Sequence, residues 1–327
     1  MSEQRAGILS IGAYLPERVV TNDEISTIVD TSDEWIFQRT GIHERRWARE
    51  DEYTSDMAIE ATKVALSRAE MQPTDIDYII VATASPDNTF PNTACWVQQG
   101  LQMGDIPALD ISTACAGFAY ALELAGSLVS TDSYKNVLVI GAEKLSSITN
   151  FNDRSSCILF ADGAGAAVVT KTEGRGTIIC SRNGARFDYD ALNVAAGGCR
   201  RPASQDTVEK NEHTIALKGR TVYKFAVQKF YEMADEACQR AGITSDDIAL
   251  VIPHQANVNI IESAMKRAGI GMDRVLINID RYGNTSSASI PIAFDEALET
   301  GRIKRGDYIL LEAFGGGLSW GYNLVQW

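Results

Sequence analysis

The stretch Pro107-Ala-Leu-Asp-Ile-Ser-Thr-Ala-Cys-Ala-Gly-Phe-Ala-Tyr-Ala-Leu122 decides the fold that this sequence predicts. Its first, mostly apolar segment ends at Ser112. From Ala116 to Val129 the chain is apolar on nearly every face, and Glu123 is the only charged residue. This pattern predicts a strand, a tight turn and a buried helix. Cys115 lies at the turn, where unpaired N–H groups and the positive end of the helix dipole favour a thiolate over a thiol.

The same order of helix, strand and motif occurs twice along the chain. Asp77, at the start of an apolar strand, precedes Cys115 by almost the same distance along the chain as Asp247 precedes Asn284. Repeated alternation of helices and strands predicts parallel sheets that helices cover. Two related halves that divide near residue 172 would place Cys115 and Asn284 at equivalent positions, each at the start of a helix.

His254 is the histidine best placed to act with a cysteine. It follows the apolar strand Ile248–Pro253, and strand ends are where α/β enzymes place reactive groups. His43 and His213 lie in polar runs instead. A later strand leads into Gly315–Gly317, whose N–H groups can approach a ligand oxygen that side chains would block. A core histidine and a tight turn are the simpler interpretations of these two elements.

Composition bounds the class of protein. The 327-residue chain has 45% hydrophobic and 22% charged residues, which is typical of a globular protein. Its formal net charge of −13 argues against general nucleic-acid binding and against binding to anionic membranes. The sequence has no uncharged apolar run of ~18 residues, so we expect no membrane span. The apolar segment Ala6–Leu15 lacks a cleavage site after it, so we expect a cytoplasmic protein.

Cysteine spacing argues against a structural metal site. The sequence has no Cys-x-x-Cys and no His-x-x-x-His pair, so we expect no metal. Several cysteines lie in apolar runs, as reduced core thiols do in a cytoplasm. The six are Cys95, Cys115, Cys157, Cys180, Cys199 and Cys238.

Four motifs together make the sequence recognisable. They are Thr113-Ala-Cys-Ala-Gly, Pro253-His-Gln-Ala-Asn, Gly283-Asn-Thr-Ser, and Phe314-Gly-Gly-Gly with Trp320. With them the chain closely resembles the β-ketoacyl-acyl-carrier-protein synthase III family, from Ile8 to Trp327. The resemblance implies a duplicated thiolase-like α/β fold with five layers in the order αβαβα. Its two pseudo-symmetric halves would be residues 1–172 and 173–327.

The resemblance also implies a catalytic site and a reaction. It assigns a catalytic triad to Cys115, His254 and Asn284, and an oxyanion hole to the backbone N–H groups of Cys115 and Gly316. The implied reaction is a decarboxylative Claisen condensation of an acyl-coenzyme A with malonyl-acyl-carrier protein, which starts fatty-acid synthesis. Coenzyme A thioester would be a substrate, and neither a cofactor nor a metal is implied.

A coenzyme A site is implied near the start of the chain. By resemblance, Trp35 would stack on the adenine, Arg39 would bind phosphate oxygens and Arg154 would cover the other face of the adenine. The residue types suit this role, because an aromatic ring and a guanidinium both stack on a flat base and cations bind phosphates.

The family further implies an acyl pocket and a homodimer. Phe160 and Phe314 would line the acyl pocket, and Phe90 would cross the dimer interface to close the pocket of a second subunit. A large residue at position 90 would suit short acyl groups.

The carrier-protein surface departs from the family at one position. Asn259 stands where the family commonly has an arginine that is associated with docking of the acidic carrier protein. Lys224, Lys266 and Arg267 remain as candidate basic contacts, and a solvated helix face is the simpler interpretation of the last two.

Four other functions compete with this interpretation. A cysteine protease also uses Cys, His and Asn, but the papain motif Cys-Gly-Ser-Cys-Trp is absent. A nicotinamide enzyme is suggested only by Gly163-Ala-Gly-Ala-Ala, which lacks a third glycine. A non-catalytic interaction protein would keep Cys115 as an inert core thiol. A specialised relative with a different starter would use Ser286 and Ser287 as polar pocket lining.

Overall fold

Thirteen β-strands and eleven α-helices form in residues 5–327, the part of the chain that this computed structural model describes. The strands are β1 (Arg5–Tyr14), β2 (Arg18–Thr21), β3 (Glu44–Trp47), β4 (Tyr78–Ala82), β5 (Ala108–Ile111), β6 (Val137–Lys144), β7 (Asp162–Thr172), β8 (Thr177–Ala185), β9 (Leu192–Val194), β10 (Ile215–Leu217), β11 (Ile248–Pro253), β12 (Tyr308–Gly315) and β13 (Ser319–Gln326). The helices are α1 (Asn22–Ser26), α2 (Asp33–Thr40), α3 (Thr54–Ala69), α4 (Thr93–Gly100), α5 (Gly117–Ser130), α6 (Arg154–Cys157), α7 (Gln205–Glu209), α8 (Gly219–Ala241), α9 (Val258–Ala268), α10 (Ile279–Tyr282) and α11 (Ser289–Glu299).

Two sheets of the same topology make up the scaffold. The first has the order β5-β4-β6-β7-β1, with β5, β4 and β6 parallel and β7 antiparallel to both β6 and β1. The second repeats this order as β11-β12-β13-β8, and a single parallel bridge from Val251 to Val275 stands where the fifth strand would be. One residue pair, Gly7 with Thr177, joins β1 to β8 and makes the nine strands continuous. The predicted duplication is therefore confirmed.

Helices separate and cover the two sheets in five layers. Helices α5 and α11 pack between the sheets, where Phe118 and Phe294 belong to one buried cluster with residues of both. Helices α3 and α4 cover the outer face of the first sheet, and α8 and α9 cover that of the second. Because α5 has apolar neighbours on both sides, its sequence is apolar all round. The predicted αβαβα arrangement is confirmed.

The turn that carries Cys115 has a counterpart in the second half, but the two turns align with an offset that differs from the predicted one. A 3₁₀ turn precedes each central helix, and its first residue, Ala114 or Ser286, has a left-handed φ of +47° or +50°. The residue that matches Cys115 is therefore Ser287. The prediction that Asn284 is the equivalent of Cys115 is wrong, because Asn284 lies three residues earlier.

The spacing explains the error. Asp75 and Asp247 each end the 3₁₀ turn before the first parallel strand of their half, and the carboxylate of each accepts a backbone N–H three residues back. The length of chain from Asp75 to Cys115 equals that from Asp247 to Ser287. Counting from Asp77 in the first half shifts the comparison, because Asp77 is not the counterpart of Asp247.

The division of the chain at residue 172 stays a prediction. Strand β7 ends at Thr172 and β8 begins at Thr177, so the proposed boundary lies in the connection between the two sheets. Between residues 5 and 327, none of the helices combines the length and the apolar character that crossing a bilayer requires.

Candidate active site

The nucleophile turn is held tightly against the second half of the molecule. Cys115 lies in the 3₁₀ turn that leads into α5 and has 8% of its surface exposed. Gly315 at the end of β12 approaches this turn so closely that a Cβ there would lie 2.6 Å from the Cys115 nitrogen. Glycine is therefore required at this position by the close approach of two backbones.

Burial has the largest effect on the pKa of Cys115. Desolvation raises the pKa of its thiol to about 12, although a hydrogen bond with Ser286 acts in the opposite direction. Burial therefore favours the thiol in the resting site, in opposition to the turn's N–H groups and the helix dipole, which were predicted to favour a thiolate. The thiolate has to form when substrate is bound, and a proton acceptor must lie nearby.

His254 is a neutral imidazole in the same site. It is 1% exposed directly after β11, and its backbone N–H donates to Glu312 O at 2.8 Å. Burial lowers the pKa of its ring to about 3. Its Nδ1 lies 2.7 Å from Ser289 Oγ, which donates its single hydrogen to Ser286 O at 2.9 Å. Ser289 must then accept from Nδ1–H, which leaves Nε2 as an acceptor.

Asn284 is fixed by three hydrogen bonds that leave its amide N–H₂ available. Its backbone N–H donates to Leu159 O and its carbonyl accepts from Ala161 N–H, both at 2.9 Å. Its side-chain Oδ1 accepts from Ser286 N–H at 2.9 Å. Asn284 lines a cavity together with Cys115 and His254.

Cys115 lies between two cavities. The first has a volume of about 290 Å³ and runs from Cys115, His254 and Asn284 to Trp35 and Arg39. The second has a volume of about 230 Å³. It is lined mainly by apolar side chains and loop residues, namely Ala84, Ser112, Ala114, Cys115, Leu145, Ile148, Phe160, Leu192, Asn193, Val194, Ile215 and Ser286. An acyl group on the thiol has a mostly apolar space of its own, apart from the passage that leads to Trp35.

The three residues predicted to line the acyl pocket differ in where they lie. Phe160 lines both cavities, and Phe314 lines the first one only. Phe90 is 85% exposed and is not among the lining residues of either cavity in a single chain. Leu145, Ile148 and Ile215 form a small buried cluster with Phe160 and line the second cavity. The sequence analysis did not identify these three, because apolar residues outside any motif cannot be told from ordinary core residues.

The three residues predicted to bind coenzyme A come together, and two of them, Trp35 and Arg39, line the first cavity. The guanidinium carbons of Arg39 and Arg154 lie 4.3 and 4.6 Å from the ring centre of Trp35. Helix α2 presents Trp35 and Arg39 one turn apart, and Arg154 at the start of α6 donates to Asp30 O at 2.8 Å. Two cations and an aromatic ring are a suitable recognition surface for a phosphorylated base.

The candidate docking residues lie on two neighbouring helices. Lys224 is exposed on α8, and Lys266 and Arg267 are exposed at the end of α9. The Asn259 side chain has a contact that sequence reasoning missed: its Nδ2 donates to Arg39 O at 3.0 Å. Asn259 therefore ties the start of α9 to the helix that carries Arg39.

The structure bears on two of the competing hypotheses. The glycine run at Gly163–Gly165 lies inside β7, between antiparallel neighbours. A dinucleotide fingerprint needs a strand-to-helix turn, so that interpretation is wrong. Ser286 does line the second cavity, but Ser287 points its hydroxyl at Glu143 and Ala82 O instead.

Comparison with known proteins agrees with this geometry. The family model of 3-oxoacyl-[acyl-carrier-protein (ACP)] synthase III matches residues 109–186, and the model of its C-terminal part matches residues 238–327. The β-ketoacyl-[acyl-carrier-protein] synthase III of Caldanaerobacter subterraneus subsp. tengcongensis is 52% identical over 323 residues, which is 98% of each chain. That of Clostridioides difficile is 48% identical over 99% of this chain and 98% of its own.

A solved structure extends the similarity to three dimensions. The crystal structure of 3-oxoacyl-[acyl-carrier-protein] synthase III from Aquifex aeolicus VF5 matches with a TM-score of 0.91 and 46% identity. The match covers 98% of this chain and all of that one. Similar in sequence and in fold over nearly its whole length, the chain belongs to the β-ketoacyl-[acyl-carrier-protein] synthase III family.

Proposed function

We propose that this enzyme condenses an acyl-coenzyme A starter with malonyl-acyl-carrier protein, with Cys115, His254 and Asn284 as its catalytic residues. The reaction releases carbon dioxide and gives a β-ketoacyl-acyl-carrier protein, which initiates fatty-acid synthesis. The observation that carries the proposal is the position of Cys115 between a cavity that leads to Trp35 and a mostly apolar cavity of acyl size. Relatives at about 50% identity over the full chain favour fatty-acid initiation over a specialised starter.

Acyl loading uses Cys115 as the nucleophile. The sulfur attacks the thioester carbonyl of acyl-coenzyme A while His254 Nε2 accepts the thiol proton. The N–H groups of Cys115 and Gly316 hold the tetrahedral oxyanion, as the close approach of Gly315 to the nucleophile turn allows. The C–S bond of the substrate breaks, and the proton passes from Nε2 to the sulfur of the departing coenzyme A. The acyl group stays on Cys115.

Condensation then consumes one proton. The carboxylate of malonyl-acyl-carrier protein leaves as carbon dioxide, and its bonding electrons form an enolate on the thioester. Asn284 Nδ2 donates to the thioester oxygen, and neutral His254 donates as well in its Nε2–H tautomer, with the Ser289 hydroxyl turned to donate to Nδ1. The enolate carbon attacks the acyl-Cys115 carbonyl and expels the thiolate. The thiolate takes up one proton from solvent, His254 returns to its resting tautomer, and the starting state is restored.

The proposal assigns the remaining components of the reaction. Coenzyme A thioester is a substrate, and the steps above require no metal or redox cofactor. The acyl group occupies the second cavity, whose volume of about 230 Å³ suits a short chain. We place the enzyme in the cytoplasm as a homodimer, in which Phe90, exposed in one subunit, closes the acyl cavity of its partner.

Intact-protein mass spectrometry tests the loading step. Wild-type protein incubated with a panel of acyl-coenzyme A thioesters should gain the mass of one acyl group, most rapidly with short starters. Cys115→Ser changes little volume, so it should fold and should retain no thioester adduct. If that variant still forms a thioester adduct at the wild-type rate, another cysteine is the nucleophile and the proposal fails.

Carrier-protein docking is tested by charge reversal. Lys224, Lys266 and Arg267 would provide the local positive charge that an acidic partner needs on an enzyme of net charge −13. Reversing Lys266 and Arg267 together to Glu should raise KM for malonyl-acyl-carrier protein and leave acyl loading intact. Lys304 and Arg305, an exposed adjacent pair elsewhere, are the matched control. Equal effects of both double variants would refute the docking site.

A further inference from the structure

Glu143 is a buried carboxyl group that the mechanism above does not use. It lies near the end of β6 with none of its surface exposed. Its Oε2 accepts three hydrogen bonds, from Ala84 N–H at 2.9 Å, Ser85 Oγ at 2.7 Å and Thr83 Oγ1 at 3.2 Å. Ser85 Oγ itself accepts from Lys144 N–H, so its own hydrogen is directed to Glu143. Oε2 therefore has no room for a further hydrogen-bond donor.

The other oxygen, Oε1, accepts from the backbone N–H of Ser287 at 3.4 Å and also contacts the Ser287 hydroxyl. Ser287 Oγ lies 2.8 Å from Glu143 Oε1 and also 2.8 Å from Ala82 O. A hydroxyl has one hydrogen, and a backbone carbonyl can only accept. Ser287 can therefore donate to only one of these two oxygens, and both contacts are hydrogen bonds only if Oε1 carries a proton. Burial favours the same state, because it raises the pKa of Glu143.

The pseudo-symmetry of the fold shows what this carboxyl replaces. Ser287 matches Cys115, and the same step along the chain matches Gly315 to Glu143. At the active site Gly315 leaves the space beside the Cys115 nitrogen free. At the related position Glu143 fills that space, and its Oε1 accepts from the Ser287 backbone N–H at 3.4 Å. The second turn is thus occupied by a side chain of the protein itself.

This contact reaches the active site through one short turn. The turn from Asn284 to Ser287 carries Asn284 and also Ser286, which hydrogen-bonds the Cys115 thiol and lines the acyl cavity. A negative charge on Glu143 would raise the pKa of Cys115 and oppose formation of the thiolate. Two other titratable groups lie at this strand end: Lys144 donates to the carbonyls of residues 49, 50 and 52, and Asp162, opposite it on β7, accepts from Ala48 N–H, Ser146 N–H and Ser146 Oγ.

We propose that Glu143 is a positioning residue that works in its protonated form. It fastens the Asn284–Ser287 turn of the second half to β6 of the first half, and it does so without placing a negative charge beside Cys115. The inference rests on the proposed roles of Cys115 and Asn284, but its central claim, the proton on Glu143, can be tested without any acyl substrate.

Glu143→Gln is the decisive variant, because a glutamine matches a protonated glutamic acid in shape and in its pattern of one donor and one acceptor. The infrared difference spectrum between wild type and Glu143→Gln should show loss of the carbonyl stretch of a protonated carboxylic acid. The pH at which Cys115 becomes reactive to iodoacetamide, followed by peptide mass spectrometry, should be the same in both proteins.

Each alternative result overturns the proposal. An ionised Glu143 would show as lost carboxylate bands. Removing its charge would also lower the midpoint of Cys115 alkylation by about one pH unit or more. Failure of Glu143→Gln to fold would equally count against a protonated residue. Because neither readout uses acyl-coenzyme A, a failure of the proposed function would be seen separately, in the loading assay.

A third variant tests the positioning role. Glu143→Ala removes the link to Ser287, so kcat for condensation should fall by about 10²-fold with little change in KM, as for a misplaced catalytic group. Glu143→Gln should restore most of that loss. If Glu143→Ala condenses at the wild-type rate, the turn is held by other contacts and Glu143 has no positioning role.

Discussion

Gly315→Ala should inactivate the enzyme by disturbing the nucleophile turn without unfolding the chain. The added Cβ would lie 2.6 Å from the Cys115 nitrogen and 3.1 Å from the Ala116 nitrogen, so the turn or β12 has to move. Overpacking of this kind costs about 1–3 kcal/mol, against a typical domain stability of about 5–15 kcal/mol. Loss of one oxyanion donor costs about 10²–10³ in rate, or about 2.7–4 kcal/mol. Catalysis should therefore fail while the fold persists.

The assay is the single-turnover rate of acyl transfer from acyl-coenzyme A, with thermal unfolding measured on the same samples. Gly316→Ala is the matched control, because its Cβ would meet Leu192 O at 3.4 Å and Ala114 Cβ at 3.5 Å, which are ordinary contacts. The control keeps its backbone N–H and should lose far less. If Gly315→Ala loads at the wild-type rate, or no more slowly than Gly316→Ala, the close approach does not shape the oxyanion hole.

Three further predictions concern the thiol, the second half-reaction and assembly. Burial raises the pKa of Cys115 to about 12, so its alkylation rate should still rise about tenfold per pH unit at pH 9, where a free thiol of pKa ~8.5 has levelled off; an early plateau would contradict this. In rapid-quench assays Asn284→Ala should slow condensation more than loading, whereas His254→Ala should slow both, because His254 takes the thiol proton during loading; unimpaired loading by His254→Ala would show that another group takes that proton. Sedimentation should show a homodimer, and a fully active monomer would remove the role proposed for Phe90.

The sequence was sufficient to predict the scaffold and to single out candidate site residues that the fold brings to one cavity. Strand ends followed by polar or glycine-rich segments located His254 and Gly315–Gly317, and an apolar helix start located Cys115. These signals are local in the sequence, so they can be recognised without a structure. The matching of the two halves failed at Asn284, because a shift of three residues within a loop leaves the element order unchanged.

Contacts between distant segments could not be predicted in the same way. Ser289 sets the tautomer of His254 from α11, 35 residues away, and Asn259 bonds to the carbonyl of Arg39, 220 residues away. A serine or an asparagine in the sequence does not indicate which distant residue it will contact. The walls of the second cavity, such as Ile148 and Ile215, come from separate loops and strands, and only the folded backbone brings them to Phe160.

The cavity that runs from Cys115 to Trp35 and Arg39 constrains the order of events. A starter and an extender that both reach the sulfur by this route compete for one passage. Coenzyme A, the first product, must leave the passage before the second substrate enters. The enzyme should therefore follow ping-pong kinetics, with parallel lines in double-reciprocal plots. Each substrate in excess would then inhibit the other's half-reaction, and the cellular ratio of free to acylated coenzyme A would set the throughput of the enzyme.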